Sequence, residues 1–141
     1  MMPGYLLDTN VISETRRIRA DRHVLEFLAT TRGQGHFISV MTIGEFRKGA
    51  ALKRRTDLAG AEKLDRWVEA IEAQYSRSVF DIDAAVARRW GELSALGLLR
   101  VVDALIAATA LAHGLTLVTR NVRDFARTGV RTLNPWQVTS S

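Results

Sequence analysis

The chain contains no cysteine and only two prolines among its 141 residues. Without cysteine it can form neither a disulfide nor a thiolate metal site, which fits a reducing compartment. No apolar run approaches the length of a membrane span, and the apolar stretch before Asp8 is too short for the core of a secretory signal. We therefore expect a cytoplasmic protein that does not enter a membrane.

Lysine is also scarce, because it occurs only at Lys48, Lys53 and Lys63 while arginine supplies the rest of the 20 basic residues. The net charge at pH 7 is +5. Guanidinium groups bind phosphates in a bidentate manner, so a basic, arginine-rich chain is typical of proteins that bind polyanions. The charge balance favours nucleic acid as the substrate, and the length favours a single domain over residues 1–141.

Short apolar runs that predict strands alternate with amphipathic stretches that predict helices. The predicted strands cover residues 5–7, 37–40, 79–80, 115–119 and 130–133. The predicted helices cover residues 24–33, 42–53, 57–74, 83–97 and 102–113. This alternation favours parallel pairing of the strands through right-handed crossovers. The sequence thus predicts an α/β fold, a three-layer α/β/α sandwich around a parallel sheet of four to five strands.

Four acidic residues stand where an apolar run gives way to a turn or to the start of a helix, namely Asp8, Glu45, Asp103 and Asp124. If these runs are parallel strands, all four acids gather at the carboxyl edge of the sheet, where open α/β sheets place their sites. Two unpaired carboxylates at about 4 Å repel by roughly 4 kcal/mol at an effective dielectric constant of 20. Oxygen ligands without cysteine or histidine favour Mg²⁺ or Mn²⁺ as the compensating ion.

Each of these acids also has a structural interpretation. Glu45 completes a capping box with Thr42, and Asp103 lies in a first helical turn, where the helix dipole favours any acid. Asp8 could close an Asx turn after the first strand, and Asp124 could cap a short turn. Taken singly, each acid fits a structural role as well as a functional one, whereas a single strand order brings all four together.

Five further segments stand out as motifs: LLDTNVISE at 6–14, TIGEF at 42–46 after Ser39, DALIAATA at 103–110, VTRN at 118–121 followed by DF at 124–125, and NPW at 134–136. These segments resemble the PIN-domain family, and within it the VapC-type toxins, with FitB-like features. The segments occur in the order and spacing of that family and span nearly the whole chain. The resemblance implies a Mg²⁺- or Mn²⁺-dependent endoribonuclease, the toxin of a type II toxin-antitoxin pair, that hydrolyses RNA phosphodiesters. It also implies a homodimer that a cognate antitoxin holds inactive.

Carried over position by position, the resemblance implies that Asp8, Glu45 and Asp103 are the catalytic acids, with Asp8 and Asp103 holding the metal directly. Asp124 is expected to be a fourth catalytic acid, because Asn121 stands where some members of the family have an acid. Four polar side chains are expected to orient a ligand or a water around the metal: Thr9, Asn10, Thr119 and Asn121.

Basic residues that flank the acids in sequence are candidate RNA contacts, and they are Arg47, Lys48, Arg120 and Arg123. The alternative for each is a solvated basic rim. The helical face around Trp67, Val68 and Ile71 is a candidate surface for the dimer or for the antitoxin. A different function stays open, a catalytically degenerate PIN-like domain that binds an antitoxin or a nucleic acid.

Two other enzyme classes place an aspartate after the first strand of a similar sheet. A haloacid-dehalogenase-like phosphatase needs a second aspartate at position 10, where this chain has Asn10. A phosphoacceptor signalling domain needs a lysine at the end of a late strand, where this chain has Arg120, a poor substitute. Both classes are therefore disfavoured.

Overall fold

The computed structural model describes residues 4–137. In chain order its strands and helices are β1 Tyr5–Leu7, α1 Thr9–Glu14, α2 Arg22–Thr30, β2 His36–Ser39, α3 Val40–Lys53, α4 Leu58–Gln74, β3 Val79–Phe80, α5 Ala84–Ala95, α6 Val101–His113, β4 Thr116–Val118 and β5 Thr132–Leu133. Two 3₁₀ turns, Arg32–Gln34 and Val122–Phe125, complete the described secondary structure. Over these residues, no helix is both long enough and apolar enough to cross a lipid bilayer.

The five strands form one parallel sheet in the order β3-β2-β1-β4-β5. Tyr5 of β1 stands opposite His36 of β2 on one side and Thr116 of β4 on the other. The chain adds β2 and β3 on one side of β1 and later adds β4 and β5 on the opposite side. The gap between the carboxyl ends of β1 and β4 is thus a topological switch point, where open α/β sheets bind their ligands.

The sheet separates two apolar cores because successive side chains of a strand point to opposite faces. Leu6 and Leu117 pack with Ile106 and Val86 under α5 and α6. Leu7 and Val118 pack on the other face, with residues of α1 to α4 that include Val11, Val24, Phe46 and Val68. The predicted three-layer α/β/α sandwich with a central parallel sheet is therefore confirmed.

The segment directly after β1 is a helix, whereas the sequence predicted a loop there. Asp8 is the N-cap of α1, and its carboxylate accepts a hydrogen bond of 2.7 Å from the backbone N–H of Thr9. Aspartate is among the best N-cap residues because its oxygen satisfies an amide that has no partner inside the helix. The DTN triplet thus starts a helix as effectively as it would start a turn.

Two expectations about the acid-bearing helices were wrong. Helix α3 begins at Val40 and is capped by Ser39, whose hydroxyl accepts a 3.0 Å hydrogen bond from the backbone N–H of Met41. The capping box of Thr42 and Glu45 therefore does not form. Among the described residues no strand leads directly into α6, the helix that carries Asp103, because the element before it is α5 and a turn joins the two. Asp103 still reaches the carboxyl edge of the sheet, since α6 leads back into β4 and begins at that edge.

Helices α3 and α4 pack against each other as a hairpin, but the apolar face predicted as a partner surface is not free. Val68 and Ile71 are buried in the core beneath the sheet. Trp67 is half-buried and packs edge-on against Phe46, with the ring centroids 4.8 Å apart. The prediction of Val68 and Ile71 as a partner surface is therefore wrong.

Candidate active site

Asp8 is the most firmly held acid at the carboxyl edge of the sheet. Its side chain is 5% exposed. One carboxylate oxygen accepts the backbone N–H of Thr9, and the other accepts a 2.8 Å hydrogen bond from the hydroxyl of Thr119 at the end of β4. A backbone hydrogen bond of 2.9 Å from the N–H of Asp8 to the carbonyl of Val118 joins the same two strands. The switch point of the sheet thus fixes this carboxylate in position.

Burial raises the pKa of the Asp8 carboxyl above its ordinary value of 3.8. The hydrogen bonds from Thr119 and Thr9 favour the ionised form and partly offset this effect, while the nearby charges of Asp103 and Glu45 raise the pKa further. The carboxyl edge of the sheet therefore carries concentrated negative charge around Asp8.

Thr9 connects Asp8 with the helix that carries Glu45. The Thr9 hydroxyl donates a short hydrogen bond of 2.5 Å to Glu45 Oε1 and lies 3.1 Å from the hydroxyl of Thr42, which is buried. Since Thr9 follows Asp8 directly, the start of α1 fixes the positions of both acids relative to each other. Sequence reasoning expected Thr9 near the site, and the structure places it in this bridging position.

Asp103 closes the opposite side of the same cleft. Its side chain is 26% exposed, and its Oδ2 lies 3.5 Å from Nε of Arg100. Asp8, Glu45 and Asp103 all line one cleft of about 440 Å³, so the structure brings these three predicted acids together from β1, α3 and α6. Parallel strands and the starts of two helices meet at this edge, which is why residues distant in sequence converge there.

The donor chemistry of the cleft fits a hard divalent cation. Three carboxylates supply oxygen ligands, and each oxygen of Asp8 keeps a lone pair beyond the hydrogen bond it accepts. Within residues 4–137, no three acidic or histidine side chains converge closely enough to hold an ion between them. Mg²⁺ is commonly bound through one or two carboxylates while it retains several waters, so a pair of acids in an open cleft suits it.

Comparison with known proteins agrees with this arrangement. The PIN domain family matches residues 5–130. The chain belongs to the PIN domain family. The resemblance noted in the sequence is therefore confirmed.

Three curated relatives match nearly the full length of this PIN domain. Plasmid stability protein StbB of Pseudomonas syringae pv. tomato is 35% identical, over 94% of this chain and 98% of the relative. VapC ribonuclease Y4jK of Sinorhizobium fredii is 34% identical over 94% and 97%, and toxin FitB of Neisseria gonorrhoeae is 31% identical over 93% and 97%. Among solved structures, FitAcB from Neisseria gonorrhoeae superposes with a TM-score of 0.84 at 30% identity, covering 95% of this chain and 99% of that one.

The polar residues predicted around the acids of this PIN domain lie in one hydrogen-bonded network. The Thr119 hydroxyl accepts a 3.4 Å hydrogen bond from the Asn10 side-chain amide and one of 3.1 Å from the backbone N–H of Asn121. Asn10 and Asn121 line the cleft. Asp124 is exposed within the 3₁₀ turn Val122–Phe125 and is not among the described residues that line the cleft.

The predicted RNA contacts lie elsewhere on the surface. Arg47 pairs with Asp65 at 3.5 Å and with Glu72 at 2.5 Å. The guanidinium of Arg120 lies 5.0 Å from the ring centroid of Trp136. Lys48 and Arg123 are exposed, and none of the four predicted basic residues belongs to the described lining of the cleft.

Sequence reasoning missed four residues that do line the cleft, and they are Ser13, Glu14, Arg17 and Arg100. Ser13 and Glu14 lie three and four residues after Asn10, on the same face of α1, and Arg17 lies three residues beyond Glu14. Helical periodicity would have identified Ser13 and Glu14 if a helix had been predicted after Asp8. Arg100 precedes α6 and faces the cleft because that helix starts there.

Proposed function

We propose that this protein is a Mg²⁺- or Mn²⁺-dependent endoribonuclease that hydrolyses RNA phosphodiesters and acts as the toxin of a type II toxin-antitoxin pair. The observation that carries the proposal is the convergence of Asp8, Glu45 and Asp103 on one cleft at the switch point of the sheet. The relatives named VapC ribonuclease and toxin FitB support the same function.

Asp8 and Asp103 would hold the metal, and Glu45 would bind it or orient the attacking water. A divalent ion bound here supplies an acidic water and neutralises the charge that develops on the phosphate in the transition state. Thr119 and the backbone of Thr9 hold the Asp8 carboxylate with both oxygens directed by hydrogen bonds. The Thr9 hydroxyl holds Glu45 in the same way, so the chain presents pre-oriented acids to the substrate.

Asn121 and Asp124 are both candidates for the fourth position of the site, and we give them different roles. Asn121 lines the cleft and its backbone is bound to Thr119, so it is placed to orient a water or a ligand. Asp124 lies outside the described lining of the cleft. We propose that Asn121 orients a water or a ligand at the site. Asp124 would act indirectly, by supporting the 3₁₀ turn Val122–Phe125 that carries it.

Substitution of the two metal-holding acids tests the proposed activity. Asp8→Asn and Asp103→Asn should each abolish Mg²⁺-dependent cleavage of a pool of tRNA, rRNA and mRNA, because each removes one of the two proposed charged ligands. Asp81→Asn, which changes an exposed acid outside the cleft, should cleave like the wild type. Mapping the new RNA ends gives the readout, and wild-type rates in both cleft variants would refute the assignment.

A catalytically degenerate binding module is the second candidate function. It is favoured by the open arrangement of the acids, since no three acidic or histidine side chains within residues 4–137 lie close enough together to hold one ion. Isothermal titration of the wild type with Mn²⁺ distinguishes the two. Binding that disappears in Asp8→Asn supports the nuclease, and no binding at millimolar metal supports the degenerate module.

A cognate antitoxin, a second copy of the chain and RNA are the proposed partners, and the cytoplasm is the proposed location. An apolar groove lined by Phe46, Leu64 and Trp67 adjoins the cleft and shares Glu45 and Arg17 with it. A segment of an antitoxin bound in this groove would cover the entrance to the acids and block access of RNA.

A further inference from the structure

The loop between α1 and α2, residues 15–20, carries three arginines beside the acidic cleft. They are Arg16, Arg17 and Arg19, and all three are exposed. Of these, Arg17 lines the cleft together with Asp8, Glu45 and Asp103, whereas Arg16 lies 5.8 Å from the ring centroid of Trp67. The three neighbouring arginines therefore have different surroundings, and Arg17 is the one directed at the acids.

A buried carboxylate, Glu14, holds this loop at both ends. Its side chain is 5% exposed, its Oε2 accepts a 2.9 Å hydrogen bond from the backbone N–H of Asp21, and its Oε1 lies 3.4 Å from Nη1 of Arg17. Burial of a carboxylate is costly unless its oxygens are hydrogen-bonded, and here both have a partner. Glu14 thus sets the path of the loop and the direction of the Arg17 side chain.

Arg100 faces the cleft from the opposite side. Its Nε lies 3.5 Å from Oδ2 of Asp103, and its side chain is 87% exposed, compared with 66% for Arg17. A guanidinium has five N–H donors, and one carboxylate uses at most two of them. Arg17 and Arg100 therefore each keep donors for a second anion besides the carboxylate that each pairs with.

We propose that Arg17 and Arg100 bind the RNA phosphates on either side of the scissile bond, and that Glu14 is a positioning residue that acts through Arg17. The inference rests on the proposed ribonuclease function. Four acids line this cleft, so a polyanion needs local positive charge to approach them. Arg47 is a weaker candidate because Asp65 and Glu72 already neutralise its charge.

Single substitutions of the two arginines test their role. Arg17→Ala and Arg100→Ala should each raise KM for a defined single-stranded RNA by about tenfold while kcat changes by less than about twofold. Arg19→Ala is the matched control, because it removes an exposed arginine of the same loop from outside the described cleft lining. KM values in both variants that equal the value for Arg19→Ala would overturn the inference, while wild-type cleavage in the same assay would leave the proposed function intact.

Equilibrium binding of the same RNA in Ca²⁺ gives a readout that does not depend on cleavage. Loss of one phosphate contact should reduce the slope of log K against log salt concentration by about 0.7 for a single strand. Arg17→Ala and Arg100→Ala should each show this reduction, and Arg19→Ala should not. If the wild type cleaves no RNA, the nuclease proposal fails and these slopes alone decide whether the arginines bind phosphate.

Glu14→Gln separates positioning from general stability. The glutamine keeps an oxygen for the N–H of Asp21 but loses the charge that holds Arg17. We expect a thermal midpoint close to that of the wild type, a KM raised by about three- to tenfold and little change in kcat. In the Arg17→Ala background the same change should add nothing to KM, because the two residues act through one contact. Additive effects in the double variant would refute the positioning role.

Discussion

The two sides of the cleft differ in how they hold their acids. Asp8 lies at the end of a central strand, is 5% exposed, and has both oxygens engaged by Thr9 and Thr119. Asp103 lies in the first turn of a helix, is 26% exposed, and pairs with the exposed side chain of Arg100. One side is therefore fixed by neutral hydrogen bonds, from the backbone N–H of Thr9 and the hydroxyl of Thr119, and the other is held by an ion pair in contact with solvent.

This difference indicates that Asp8 and Asp103 have different roles in the proposed site. A buried, hydrogen-bonded carboxylate has little freedom to reorient, so it can define where the metal sits. An exposed ion pair is worth little and is readily exchanged, so Asp103 can give up Arg100 when a metal or a phosphate arrives. The contacts that hold Asp8, on the fixed side, should therefore be sensitive to small changes, and the contact between Asp103 and Arg100, on the adjustable side, should be more tolerant of them.

Among changes to the residues that hold the acids in place, Thr119→Val on the fixed side should have the largest effect. The change leaves Asp8 without one of its donors and should lower RNA cleavage by about 10- to 100-fold, the usual cost of losing a residue that orients a metal ligand. Thr116→Val, three residues earlier on the same strand and away from the cleft, is the matched control. Cleavage measured under single-turnover conditions checks the prediction, and equal rates for the two variants would contradict it.

The Asp8→Asn substitution should have a smaller effect, which is a change in the free energy of unfolding. At neutral pH the wild type must keep a buried carboxylate ionised, and this disfavours the folded state because burial raises the pKa of Asp8. The penalty is absent below the ordinary value of 3.8, where the group is protonated in both states, and grows as the pH rises through the raised pKa. Asp8→Asn should therefore be as stable as the wild type or more stable at neutral pH, and its advantage should shrink toward pH 3.8.

Denaturant unfolding in the presence of a chelator measures this difference. Asp81→Asn, which changes an exposed acid, should follow the wild type across the same pH range. If the stability advantage of Asp8→Asn over the wild type grew as the pH fell, the result would contradict a carboxylate whose pKa is raised by burial.

The smallest effect is expected for Arg100→Ala on the adjustable side. Removing the guanidinium frees Asp103, so Mn²⁺ binding without RNA should tighten by no more than about fivefold, since an exposed ion pair contributes at most about 1 kcal/mol. Arg19→Ala serves as the control for the loss of one positive charge. Isothermal titration checks the result, and weaker Mn²⁺ binding in Arg100→Ala than in Arg19→Ala would show that Arg100 supports the site instead of competing for Asp103.

Much of the fold was predictable because its signals are local. The apolar run Tyr5–Leu7, the cap at Asp83 and the left-handed glycine at Gly114 mark element boundaries within a few residues of where they occur. The start of α1 was missed because an Asp-Thr-Asn cluster suits a turn and a helix cap equally well. That single error concealed Ser13 and Glu14, which face the cleft through helical periodicity, and with them the loop that carries Arg17.

The basic residues that line the cleft could not be predicted from proximity in sequence. Arg47 lies two residues after Glu45 on α3, and residues two apart on a helix point to different sides. It therefore meets α4, where Asp65 and Glu72 bind it. Arg100 faces the acids although no feature of its sequence neighbourhood distinguishes it from other exposed arginines.

The amino-acid sequence alone was enough to predict the order of strands and helices, the position of the acids near element ends, and the family. These features follow from periodicity, caps and short motifs, which are properties of neighbouring residues. The surroundings of each acid could not be predicted in this way. Thr119 donates to Asp8 from 111 positions away, and the burial that raises the pKa of Asp8 exists only once β1 and β4 pair. Charge, hydrogen bonding and access to the cleft depend on contacts distant in sequence, and those arise from the folded chain.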